Sequence, residues 1–276
     1  HDHGIDEEDS TALSDYKSQG YSDAPIKIAV IQLPKISNYT DFAPFNGLPD
    51  TGLRFIKPGE AIGNPDMVII PGTKNTVLDL IYLNETGYSK EIIRLATENK
   101  YVCGVCGGYQ MLGSILLDPD KNESEYDSEQ GIGLLSCITR FSSKKTTHQV
   151  EAQIVGETGF WRAIKGQKVT GYEIHTGYSE IGGADSHLLQ IIRRSGKPVK
   201  VFDGTVNQTG NVFGTYMHGV FDNPNVMLTL MNTIRREKKL KELDYNDLPV
   251  VKKQNKYDLL ADRVRRSLNM DLIYEI

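Results

Sequence analysis

The chain has little cysteine, three residues in 276. That excludes a disulfide framework and fits a reducing compartment, where a cysteine is kept for packing or reactivity. No apolar run approaches the roughly 18 residues of a membrane-spanning helix. The first residues, HDHGIDEEDS, are polar and carry no secretory signal, so a cytoplasmic protein is expected. There is no basic excess: 31 Lys and Arg against 36 Asp and Glu give a net charge of −5. General nucleic-acid binding, which needs a basic footprint, is therefore disfavoured. Internal repeats and low-complexity tracts are lacking too. So is a phosphate-binding loop, because Gly196-Lys197 is followed by Pro198 and has no upstream Gly at the required spacing.

What is present is ordinary for a globular protein: 39% hydrophobic and 24% charged residues, enough for one large domain or two small ones. Residues 1–25, with Asp6, Glu7, Glu8 and Asp9 together, read as an acidic joining arm or a solvated tail. Residues 26–33 (IKIAVIQL) form a β-branched apolar run, expected to be a buried strand. Residues 34–48 read as a loop. Strands are expected at 67–70 and 102–105, and helices at 76–82, 88–99 and 107–116. Strand alternating with helix implies a three-layer α/β domain with a mostly parallel, doubly wound sheet. Alternating stretches at 148–155, 168–174 and 188–192 add strands, some antiparallel. A helix at 224–236 closes the main domain, 26–236. Its basic end, Arg235, Arg236, Lys238 and Lys239, reads as a solvated terminus. Residues 237–276 read as a charged loop and an amphipathic helix, 257–268, packed on the same domain.

The sharpest feature is Gly104-Val105-Cys106-Gly107-Gly108, between an expected strand and an expected helix. This is the context of a nucleophile elbow. A residue on so tight a turn needs small neighbours, which the glycines provide. The helix N-terminus favours a thiolate and offers backbone N–H groups to an oxyanion. A cysteine nucleophile also needs a base. Of six histidines, His218 ends an apolar stretch and precedes Gly219, where an open α/β sheet places its ligands. His175, in Gly171-Tyr-Glu-Ile-His, is the competitor, with a structural role as its plainer reading. Pro71-Gly72 ends a strand and can bring a second N–H to the same crevice. Cys103 and Cys106 form C-x-x-C, but no second pair completes a zinc site, so no metal is expected. Cys103 and Cys137 read as buried thiols.

GVCGGYQMLG resembles the nucleophile motif of class I glutamine amidotransferases, with Gln110 four residues after Cys106. The segments Pro34-Lys-Ile-Ser-Asn-Tyr-Thr-Asp-Phe, Pro71-Gly-Thr-Lys-Asn-Thr, Gly171-Tyr-Glu-Ile-His, Gly214-Thr-Tyr-Met-His-Gly-Val-Phe-Asp-Asn and Tyr257-Asp-Leu-Leu-Ala-Asp-Arg-Val resemble the glutaminase half of cobyric acid synthases. The resemblance covers nearly the whole chain and implies a flavodoxin-like core. It implies that Cys106 attacks glutamine, that His218 moves the proton, and that the N–H groups of Gly72 and Gly107 hold the oxyanion. It gives Gln110 a part in glutamine binding or in supporting the loop. It further implies that ammonia serves the ATP-dependent amidation of adenosylcobyrinic acid a,c-diamide. An amino-terminal synthetase half of a longer chain would carry the ATP, Mg and corrinoid sites, leaving none of these cofactors here.

One departure concerns the orienting group of the base. Many class I enzymes place Glu two residues after the His, where this chain has Val220. Glu173 and Asp222 are the candidates, with His175 as a further orienting or neighbouring group, and a dyad without a carboxylate is the alternative. Three other functions compete: the glutaminase subunit of another amide ligase, such as one acting on cell-wall precursors; a non-catalytic scaffold of the same fold; and an unrelated cysteine hydrolase. The Ser37-Asn-Tyr-Thr-Asp segment, the intact Cys106 and His218, and Gln110 at its spacing disfavour them respectively.

Overall fold

A computed structural model describes residues 21–249, 251, 263 and 265–268. Most of the acidic arm and of the terminal amphipathic helix therefore lies outside the described residues. The first half of the chain runs β1 (Ile26–Ile31), β2 (Thr51–Ile56), β3 (Met67–Ile70), α1 (Thr76–Glu85), α2 (Tyr88–Thr97), β4 (Tyr101–Val105) and α3 (Gly107–Leu112). The second half adds β5 (Ile115–Leu117), β6 (Ser128–Gln130), β7 (Cys137–Ile154), β8 (Lys168–Ile181), β9 (Ser186–Arg194), β10 (Lys197–Val206), β11 (Val212–Thr215), β12 (Met217–His218) and α4 (Pro224–Glu237).

One mixed sheet results, in the order β12-β8-β7-β9-β10-β11-β4-β3-β1-β2. The half from β11 to β2 is parallel, and the half from β10 to β12 is antiparallel. Successive side chains of a strand point to opposite faces, so a strand covered on both sides must be apolar throughout. In β1, Ile26, Ile28 and Val30 join a core with Val226, Leu230 and Ile234 of α4. Ala29 and Ile31 join a second core with Leu80 of α1, Ile92 of α2 and Leu112 of α3. The parallel half of the sheet is thus sandwiched between two helical layers, as the strand–helix alternation predicts.

Several expectations are corrected. Residues 34–48 are not a plain loop: Tyr39–Phe45 is a 3-10 turn that buries Tyr39, Asp41, Phe42, Pro44 and Phe45. Strand β2 escaped notice because Gly52 and Arg54 interrupt its apolar pattern. Gly52 is needed there, since a Cβ would lie 2.7 Å from the Tyr21 backbone. Helix α3 stops at Leu112 rather than 116. Gly113 turns extended, Ser114 bonds the Cys137 carbonyl, and residues 115–117 pair with β7. The end of α4 is not simply solvated. Arg235 is buried and bonds Asp50 at 2.8 Å, and Lys238 reaches Asp66 at 2.9 Å. The following segment folds back on α4, where Asn232 exchanges two hydrogen bonds with the Leu243 backbone.

Helix α3 lies against the ends of β3 and β4 with no room for a side chain between them. A Cβ on Gly108 would stand 1.9 Å from the Ile70 carbonyl oxygen. Gly108→Ala is therefore expected to destabilise the fold by about 3 kcal/mol or more, because backbone must shift. Thermal denaturation should show a midpoint lowered by about 10 °C.

Candidate active site

Cys106 stands alone at the joint between β4 and α3, with φ 52° and ψ −110°. Side chains with a Cβ rarely adopt this conformation, and its occurrence here marks a residue held for a purpose other than stability. Gly104 permits the turn, since a Cβ there would lie 2.5 Å from the Gly108 carbonyl oxygen. The Cys106 sulfur points toward the Ile174 carbonyl, 3.5 Å away in β8. It borders a cleft of about 490 Å³ that Ser37, Asn38, Thr73, Glu123, Lys145 and His175 help to line, a size suited to a small molecule.

His218 is brought beside Gly72 and Cys106 by a corner in the chain. Strand β11 runs parallel to β4, and the chain then leaves to pair β12 antiparallel with β8. A buried carboxylate, Asp203, makes that corner. It accepts from the Thr215 hydroxyl at 2.5 Å and the Tyr216 N–H at 3.0 Å. The Thr215 hydroxyl in turn accepts from the Met217 N–H at 3.0 Å. Gly72 faces both reactive candidates: a Cβ there would lie 3.3 Å from His218 Cε1 and 3.7 Å from Cys106 Cβ.

The carboxylate that meets His218 is Asp41, not Glu173 or Asp222. Its Oδ2 lies 2.7 Å from His218 Nδ1, and its Oδ1 accepts from the Gly219 N–H at 3.0 Å. Burial acts to lower the pKa of the ring. The Asp41 hydrogen bond and the Cys106 sulfur outweigh it and raise the value to about 10. The other ring nitrogen, Nε2, is buried and has no hydrogen-bond partner among the described residues. Glu173 instead faces Arg194, at 2.6 Å from its Nε, and stands 3.6 Å from His175 Nε2. Burial opposes its ionisation, but His175 and Arg194 hold its carboxyl below the usual range. Asp222 is exposed, with its carboxylate over Gly219.

The remaining candidates sort by their contacts. His175 stacks on Tyr216 with ring centroids 3.9 Å apart and bonds the Gly177 carbonyl at 3.1 Å. Gln110 is buried, and its amide is engaged by the protein. It accepts from Thr76 Oγ1 at 3.0 Å and donates to the Thr176 carbonyl at 3.1 Å and to Tyr216 Oη at 3.2 Å. Gly107 opens α3 beside Thr73 and Thr76. Cys103 and Cys137 are fully buried, and burial pushes both thiols up, Cys137 to about 11. Among the described residues, no group of three or more His, Cys, Asp or Glu is placed to hold a metal. Nor is any described helix long and apolar enough to cross a membrane. Sequence reasoning missed Asp41 and Asp203. Asp41 lay inside the quoted segment at 34–42 and carried no charge pattern of its own. Asp203 had no local signal.

A cysteine on such a joint, with a carboxylate-held histidine beside it on an α/β sheet, is the arrangement of a cysteine-dependent amidotransferase. Residues 27–226 match the model of the CobB/CobQ-like glutamine amidotransferase domain, and the chain belongs to that family. It is 45% identical over 276 residues to a cobyric acid synthase of Desulforamulus reducens, covering 100% of this chain and 54% of that protein. It is 41% identical over 277 residues to a cobyric acid synthase of Caldanaerobacter subterraneus, covering 99% of this chain and 53% of that protein. The chain spans about half the length of these curated relatives. Among solved structures, PurLQS from Thermotoga maritima superposes with a TM-score of 0.59 at 19% identity, over 76% of this chain and 99% of that chain. That likeness speaks for the fold alone, a mixed α/β sheet as expected.

The Asp41–His218 pair has a defined pH signature. The folded pKa of the ring, about 10, lies above its reference value of 6.5. Its contribution to stability is therefore full below pH 6.5 and is lost as pH rises through about 10. Asp41→Asn is expected to be less stable than wild type at the acid end of that window. The gap should narrow at the alkaline end, as read from urea midpoints across the range.

Proposed function

We propose that this chain is the glutaminase part of a cobyric acid synthase, and that Cys106, His218 and Asp41 carry its chemistry. The observation that carries the reading is the buried Asp41–His218 hydrogen bond, 2.7 Å long, beside the strained Cys106 joint. Glutamine enters the cleft with its carboxamide at Cys106. The Cys106 thiol proton passes to His218 Nε2 as the sulfur attacks the carboxamide carbon, and the resulting oxyanion is held by the N–H groups of Gly72 and Gly107. The cationic His218 ring then gives its Nε2 proton to the leaving nitrogen. The C–N bond breaks, ammonia departs, and a glutamyl thioester remains. The neutral ring next takes a proton from water, whose oxygen attacks the thioester. Glutamate leaves, and the ring returns its proton to the sulfur, restoring the thiol. Asp41 holds the ring in one tautomer and stabilises its cation throughout.

Gln110 acts by position, because its amide is bound to the protein on three sides. Glu173 and His175 brace β8, Glu173 against Arg194 and His175 stacked on Tyr216. Glutamine hydrolysis needs no cofactor at these residues. In the longer protein the ammonia passes to an ATP- and Mg-using synthetase half, which amidates the corrinoid, and the joined enzyme works in the cytoplasm. The cobyric acid synthase names and half-length coverage of the relatives support this division.

Two measurements test the reading. Cys106→Ala and His218→Asn are each expected to reduce glutamate release from glutamine by about 10⁴-fold or to background. In the full-length protein, Cys106→Ala should abolish amidation of the corrinoid with glutamine yet spare amidation with added ammonium salt. Glutamate release that survives Cys106→Ala would refute the nucleophile. Loss of the ammonium-supported reaction would refute the division of labour.

A further inference from the structure

His218 is confined on more sides than the reaction scheme above uses. Asp41 holds Nδ1, and Gly72 faces Cε1. One flat face of the ring is covered by Tyr172, with centroids 5.0 Å apart and planes within 15°. Tyr172 is the cross-strand neighbour of His218 in the β12–β8 pairing. Gly171 lets the strands approach, since a Cβ there would lie 2.2 Å from the His218 carbonyl oxygen. Tyr172 is 37% exposed while His218 is 1% exposed, so the tyrosine forms the outer wall of the histidine.

The tyrosine is itself tied down. Its hydroxyl accepts from Asn38 Nδ2 at 2.8 Å. Asn38 has φ 53° and ψ 38° and immediately precedes the 3-10 turn that carries Asp41. The contacts therefore close a circuit: Asn38 leads to Asp41 along the chain, Asp41 holds His218, His218 stacks on Tyr172, and Tyr172 returns to Asn38. The carboxylate and the covering ring are fixed to one short segment. A tilt of the imidazole must break either the 2.7 Å bond or the stack.

We propose that Tyr172, fastened by Asn38, is a positioning residue that fixes the plane of the His218 ring and screens it from solvent. The inference rests on the reading of His218 as the proton carrier. Tyrosine suits the task, because its π face favours a cation while its hydroxyl reaches the clasp. Loss of the ring frees the imidazole to tilt, and small misplacements of a reacting group carry large rate penalties.

The test compares Tyr172→Leu, Tyr172→Phe, Asn38→Gly and the Phe/Gly double variant with wild type. Glycine is used at position 38 because it accepts the positive φ. For glutamate release, Tyr172→Leu is expected to lower kcat on the order of ten-fold, with KM for glutamine within about two-fold. Tyr172→Phe keeps the stack and should restore most of kcat. The double variant should be no worse than either single, since all three remove the same bond. A wild-type kcat in Tyr172→Leu overturns the proposal. So does a parallel fall in kcat and melting temperature that Tyr172→Phe fails to rescue. A second readout is independent of glutamine turnover: deuterium exchange of the His218 Cε1–H, which proceeds from the protonated ring and reports its access to solvent, followed by peptide mass mapping. The rate should rise about ten-fold in Tyr172→Leu and stay near wild type in Tyr172→Phe. Equal rates in all proteins overturn the proposal even if the glutaminase reading stands. A faster rate in Tyr172→Leu supports it even if that reading falls.

Discussion

The hydrogen bond between Asp41 and His218 joins two parts of the chain separated by 177 residues. Both partners are buried, the carboxylate at 5% exposure and the ring at 1%. A buried carboxylate without a partner is strongly unfavourable, so the bond requires that both segments be delivered accurately. Apolar packing delivers them. Phe42 and Phe45 flank Asp41 and are fully buried, and Phe45 meets Phe221, three residues beyond His218, at 4.9 Å. The aromatic contact and the ion pair therefore share their two segments. Each limits the freedom that would weaken the other.

The polar groups that never approach the reacting atoms do comparable work. Asp203 shapes the corner at Thr215 and Tyr216, and so moves His218 from the parallel half of the sheet to the antiparallel half. Gln110 joins α1, β8 and Tyr216 through one amide. The cleft walls thus share one hydrogen-bond network, and its members are satisfied mainly by one another rather than by solvent. Cys106 meets the same network through its N–H, which bonds the Thr215 carbonyl at 2.8 Å.

Apart from β2, the parallel half of the fold was legible because its strands are short and apolar at successive positions. The runs at 26–31 and 67–70 have no other sensible burial. The elbow was legible because three glycines around one cysteine meet a steric requirement that can be stated without coordinates. His218 could be placed by its strand-end context. Asp41 could not, since its role comes from a contact across the whole chain, and its own segment looks like a polar loop. The long antiparallel strands were read only in pieces. In β7 the register shifts between Arg140 and Lys145, and exposed polar positions break its alternation. Arg235 shows the same limit: a basic helix end looks solvated until a distant Asp50 turns out to receive it.

The backbone at Cys106 bears on how this sequence can drift. At φ 52° and ψ −110° the thermodynamically preferred residue is glycine, which reaches that conformation without a Cβ conflict. With Cys106 read as the nucleophile, a lineage released from that reaction would feel no opposition to the replacement and a small gain in folding stability for making it. The neighbours Gly104 and Gly108 would stay, because backbone contacts rather than chemistry demand them. Inactive descendants of this domain should then be recognisable by an elbow that has kept its glycines and exchanged its sulfur for one more.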